Sequence, residues 1–116
     1  MNFYIWRDNI IESLLGLSDE NYQRLAWTGA VPSSDTSPDE MLVTLVDDWA
    51  LASFVPDNRP LLTHGQVELV GALVAAIESY QFTQPGFDGD VDRVLASNEW
   101  QNVMRAAKGL QLALSP

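Results

Sequence analysis

The stretch "LVGALVAAI", Leu69 to Ile77, runs for nine residues without a charge or a polar side chain. It follows Thr63-x-x-Gln66, the spacing of a capping box, in which each side chain bonds the other residue's backbone N–H. A helix is therefore expected from this point to about Tyr80. It is apolar nearly all round, and Gly71, Ala72, Ala75 and Ala76 let neighbours approach closely. A helix that is hydrophobic on every side belongs in the middle of a bundle. The same run is only half the length of a membrane span, which takes roughly 18 residues or more. The expectation is an all-α, single-domain bundle of about five helices around this central apolar helix.

Other signals agree. "SDENYQRLAWTG" offers Ser18 as an N-cap, acids in the first turn and Gly29 as a terminator. Ser37-Pro38-Asp39-Glu40 supplies an N-cap, a proline at the first helical position and two carboxylates facing the helix dipole. From there Leu42, Leu45, Val46, Trp49 and Ser53 form one stripe at helical spacing, with Glu40, Thr44, Asp47 and Asp48 opposite. "VPDNRP", Val55 to Pro60, is expected to stop that helix. "TQPGFDG" ends the apolar one, a short helix "DVDRVLAS" follows, and the last segment aligns Trp100, Val103, Met104, Ala107 and Leu114. Strand alternation and hairpin turns are missing.

A chain of 116 residues with 47% hydrophobic residues and four Trp can bury a core without covalent staples. It has no Cys, which removes disulfides, thiolate metal sites and Cys nucleophiles, and fits a reducing cytoplasm. The amino terminus, "MNFYIWRDNIIESLL", lacks the positive start of a signal peptide. Sixteen acidic against six basic residues give a net charge of −10. Such a surface repels nucleic acid and anionic membranes and attracts cationic proteins. It also serves solubility.

"DGDVDRVLASNE" tests whether any of this acidity holds a metal. Asp88, Asp90, Asp92 and Glu99 stand at positions one, three, five and twelve of an EF-hand loop. The sixth position, where glycine makes the sharp turn, is Arg93, and the ninth is Ala96, which offers no oxygen. Pro85-Gly86 interrupts the approach. The expectation is an acidic turn whose carboxylates offset a helix dipole, with no metal and no cofactor.

Enzyme motifs are missing as well. His64 is the single histidine, placed at a helix start without a Ser, Cys or carboxylate partner. Asp47 and Asp48, adjacent on a helix, diverge by about 100° and cannot share a proton. Trp49 and Trp100 lie on apolar stripes and are expected in the core. Trp6 and Trp27 fit either a core place or a partner anchor. Two acidic clusters remain as candidate partner-binding surfaces: Asp39, Glu40, Asp47 and Asp48 on one helix, and Asp88, Asp90 and Asp92 at the turn. The helical cluster is the preferred interface, because a helix presents its charges more rigidly than a turn.

The stretch "SPDEMLVTLVDDWALASFV", Ser37 to Val55, resembles an acidic Asp-Asp-aromatic helix in immunity proteins of bacterial contact-dependent growth inhibition systems. The small, acidic, Cys-free helical format is similar too. The resemblance covers about a sixth of the chain and reaches individual residues only at Asp47, Asp48 and Trp49. It implies a non-enzymatic cytoplasmic inhibitor that covers the active site of a cationic toxin domain such as a nuclease. A helical adaptor or assembly subunit is the alternative. Behind these stand a small enzyme with carboxylates brought together by the fold, and a weak calcium module.

Overall fold

The computed structural model describes residues 1–116, and every regular element in it is helical. Helix α1 spans Phe3–Leu17, α2 Glu20–Trp27, α3 Pro38–Val43, α4 Leu51–Asp57, α5 His64–Thr83, α6 Val91–Ala96 and α7 Asn98–Leu114. A π-helical turn, Thr44–Asp48, continues α3, and a 3₁₀ turn, Arg59–Leu61, leads into α5. The buried apolar side chains form one contiguous cluster of 21, so the chain is a single all-α domain. No helix is long and apolar enough to cross a membrane.

Local chemistry sets the helix ends. Ser37 Oγ accepts from Glu40 N at 3.1 Å, with Pro38 at the first position of α3. At α5, Thr63 Oγ1 accepts from Gln66 N at 3.1 Å and Gln66 Oε1 accepts from Thr63 N at 2.8 Å. Gly29, at φ +77°, closes α2: its N–H donates to Ala26 O, and the N–H of Ala30 donates to Leu25 O. This pair of bonds is a Schellman ending. The start of α2 differs from expectation by one residue. Asp19 is its cap, while the Ser18 hydroxyl donates to Leu14 O at 2.9 Å, beside the 3.0 Å bond of its own N–H to that carbonyl at the end of α1.

The central helix is α7, not the Leu69–Ile77 segment. Helices α1 and α5 each pack along α7 and make no comparable contact with each other. Trp100, Val103, Ala107 and Leu110 are fully buried on α7. Helix α5 buries Val70, Leu73, Ile77 and Tyr80 and leaves Gly71, Ala72 and Ala75 exposed. Residue size explains the exchange. An alanine methyl left in water forfeits about 0.8 kcal/mol of burial, whereas a large side chain forfeits two or three times that. The core therefore forms around Trp100 and the leucines.

The helix expected from Glu40 to Ser53 is interrupted. Trp49 N donates to Thr44 O, five residues back, at 3.0 Å. Ala50 then takes a left-handed conformation, φ 47° and ψ 55°, before α4 begins. The wider turn shifts the register. Leu42 and Leu45 are buried as expected, but Val46 and Ser53 face solvent, and Leu51 and Phe54 fill the core instead. Trp49 is half-buried rather than in the core. Helix α4 also passes through Pro56 and ends at Asn58, whose Nδ2 donates to Phe54 O at 2.8 Å.

Candidate functional site

Capping puts Asp39 and Glu40 in the first turn of α3, and the π turn carries Asp47 and Asp48. All four are exposed, and none forms a salt bridge. Their negative charge is therefore free to act outward. Of the rigid helix expected to present them, only Pro38–Val43 is α-helical; the Asp pair rides on the π turn.

The second cluster is committed internally. Asp88 Oδ1 accepts from Asp90 N at 3.0 Å and from Arg93 Nη2 at 3.3 Å. These two donors, the backbone N–H first, hold the Asp88 carboxyl below its ordinary range. Asp90 caps α6 through Arg93 N at 3.0 Å. Asp92 accepts from Arg24 Nη1 at 2.7 Å, tying α6 to α2 and raising the pKa of that arginine. Glu99, at the twelfth position of the loop, accepts from Gln84 Nε2 at 3.3 Å. Each carboxylate thus faces a different donor, as expected of a capped turn.

Tyr80 feels one carboxylate of the first cluster and the arginine beside the second. The tyrosine side chain is 3% exposed, and its hydroxyl pKa is pushed up to about 12, by burial first and then by Asp39, with Arg93 acting in the opposite sense. The start of α3 and the arginine of α6 therefore lie within electrostatic range of one phenol near the end of α5. His64, expected without a carboxylate partner, instead pairs with Glu68 one turn along α5 at 3.0 Å, both on the exposed surface.

A cleft of about 510 Å³ opens on another side of the π turn, between α1, the start of α2 and the loop before α3. Its lining includes Glu12, Asp19, Tyr22, Asp35, Met41 and Trp49. Gly16 makes the close approach at its floor possible: a Cβ there would lie 3.2 Å from the Tyr22 ring and 3.3 Å from Met41 Cε. Tyr22 Oη donates to Asp35 Oδ2 at 2.6 Å and shares a 2.7 Å hydrogen bond with Ser33 Oγ, which pins the loop to α2. Burial, then the Asp35 hydrogen bond, raises the Tyr22 pKa. Asp19 caps α2, and Glu12 has no hydrogen-bond or ion-pair partner in the protein. No Lys or Arg lines this cleft. The residues come from segments up to forty positions apart (Asn9 to Trp49), and no motif spacing links them. The Asp48-Trp49 pair was the one sequence signal near it.

The profile of a family described as "Domain of unknown function (DUF7945)" matches residues 1–115, and the chain belongs to that family. Comparison with curated proteins and with solved structures found no match.

Proposed function

We propose that this DUF7945 domain is a non-enzymatic acidic binding module of the cytoplasm that neutralises a cationic protein, as an immunity protein does a toxin domain such as a nuclease. The observation that carries the reading is the state of Asp39, Glu40, Asp47 and Asp48. They are exposed and lack an internal cation, while Asp88 and Asp92 are held by Arg93 and Arg24. Charge without an internal cation costs self-repulsion, which only Asp39 and Glu40 offset by facing the α3 dipole, but it accelerates encounter with an oppositely charged surface. A surface that binds phosphates is positive, so an acidic cover competes directly with its substrate. Between the two clusters, the first is the interface and the second supports α6.

The test uses the full chain as bait for a basic partner, beside a Asp47→Lys, Asp48→Lys variant. Association with the captured protein should slow by roughly tenfold or more between low and high ionic strength, the behaviour of electrostatic steering. The double reversal should weaken binding while the chain stays folded, and the parent chain should block the partner's catalytic activity. Salt-insensitive binding that survives the reversal would remove the electrostatic basis of the proposal.

One feature favours the alternative, a helical adaptor or assembly subunit. The outer face of α5 exposes Gly71, Ala72 and Ala75, and Phe82 near its end is 92% exposed. Sedimentation that shows a concentration-dependent dimer, abolished by Phe82→Glu, would support it over the toxin reading.

A further inference from the structure

We propose that the cleft between α1, α2 and the π turn receives an arginine side chain from a basic protein partner. This inference rests on the cationic-partner reading above and assigns it a pocket. Three features of the cavity select that occupant. Its volume, about 510 Å³, falls among ligand-sized pockets, which run from about 300 to 1,000 Å³. Carboxylates Glu12, Asp19 and Asp35 reach it from three segments, with no cation among the lining residues. The rest of its wall sets an aromatic and apolar patch, Trp49, Tyr22, Met41 and Leu15, beside polar Asn9, Ser13, Ser34 and Thr44.

Charge complementarity selects a cation, and the wall selects which one. A guanidinium is planar and weakly hydrated; it bonds carboxylates in pairs and packs its face on aromatic rings. An ammonium is a strongly hydrated point charge that gains less from Trp49 and Met41. The carboxylates differ in readiness. Asp19 and Asp35 already accept from Tyr22 N and Tyr22 Oη, whereas Glu12 has no partner in the protein. Glu12 is therefore the group free to take the incoming charge, with the others adding field. The π turn couples this cleft to the outer acidic face, because Trp49 lines the cleft and Asp47 and Asp48 stand immediately before it.

The probes are three nonapeptides of alternating glycine with arginine, lysine or citrulline, the last being neutral and close in shape to arginine. Isothermal titration calorimetry measures affinity, and the Trp49 indole N–H resonance reports where the peptide sits. The arginine peptide is expected to bind best, the lysine peptide more weakly and the citrulline peptide not measurably. Glu12→Lys should weaken the arginine peptide by about tenfold or more, the scale of losing one charge-assisted contact. Glu78→Lys makes the same charge change on the exposed face of α5 and should have far less effect. Equal losses in the two variants, no effect of Glu12→Lys, or no binding at millimolar peptide would each overturn the proposal. These failures differ from failure of the parent reading, which is judged by the salt dependence of the whole partner and the Asp47, Asp48 reversal.

Discussion

Trp100 Nε1 donates to Gln23 Oε1 at 3.1 Å, and both side chains are wholly excluded from solvent. The Gln23 amide Nε2 donates in turn to two carbonyls at the end of α1: Gly16 O at 3.1 Å, which also accepts from Asp19 N, and Leu17 O at 3.0 Å, which has no other donor. One polar side chain on α2 thereby satisfies the central helix and terminates the first. Around it Trp27 and Tyr80 pack edge-on to the Trp100 ring, at 5.4 and 5.0 Å between centroids. Gln23→Leu keeps the volume but orphans the buried Trp100 donor and the Leu17 carbonyl, and should cost roughly 2–4 kcal/mol. Trp100→Ala should cost roughly 3–5 kcal/mol through the cavity it leaves. Urea unfolding of Gln23→Leu, Trp100→Phe and the double variant should show a coupling of about 1 kcal/mol or more, as contacting residues do. Strict additivity would mean the hydrogen bond contributes little.

Ala50 sits at φ 47°, where a Cβ is crowded by its own backbone. Ala50→Gly should raise stability by about 0.5–1 kcal/mol, the relief exceeding the added chain entropy of glycine. Ala50→Val should lower it by more than that. Denaturant midpoints of the three proteins check the ordering.

The acidic clusters should respond oppositely to neutralisation. Asp90→Ala removes the cap of α6 and should cost about 1 kcal/mol. Asp47→Ala and Asp48→Ala should stay within about 0.5 kcal/mol of the parent, since neither carboxylate bonds the protein. A large loss at Asp47 or Asp48 would show that the outward charges have a structural role instead.

Alkaline unfolding should depend on Tyr80. Its folded pKa, about 12, lies above the ordinary 10.0, so the neutral phenol is the form that folding favours. This contribution is complete below pH 10 and is lost as pH rises toward 12. The loss should be on the order of 2 kcal/mol. Stability of Tyr80→Phe should fall less across that window, and phenolate absorbance of the parent should show a late-ionising component that Tyr80→Phe lacks.

Calcium at millimolar concentration should leave the unfolding transition where it is, because Asp88, Asp90 and Asp92 face Arg93, a backbone N–H and Arg24. A site filled to 100 times its dissociation constant would add about 2.7 kcal/mol. A rise of that size, lost in Asp88→Asn with Asp90→Asn, would reverse the assignment of this turn.

Short-range chemistry was readable in the order of residues. The caps at Ser37 and Thr63, the carboxylates at the start of α6, the proline at the start of α3, the glycine stop of α2 and the buried stripe of α7 depend on groups within about four positions of one another. Periodicity and turn chemistry therefore determined the all-α class and most helix starts. What they left open was competition among faces. Two helices had enough apolar surface to be central, and the large side chains of α7 prevailed over the alanines of α5 because they remove more area from water. The break at Trp49 and Ala50 was equally invisible, since no glycine or proline marks it; packing of Leu51 and Phe54 outweighs the local strain. The acidic cleft joins Glu12, Asp35 and Trp49 across three segments, and the Tyr80 link joins Asp39 to Arg93. Such juxtapositions depend on how helices cross, and only the folded chain sets that.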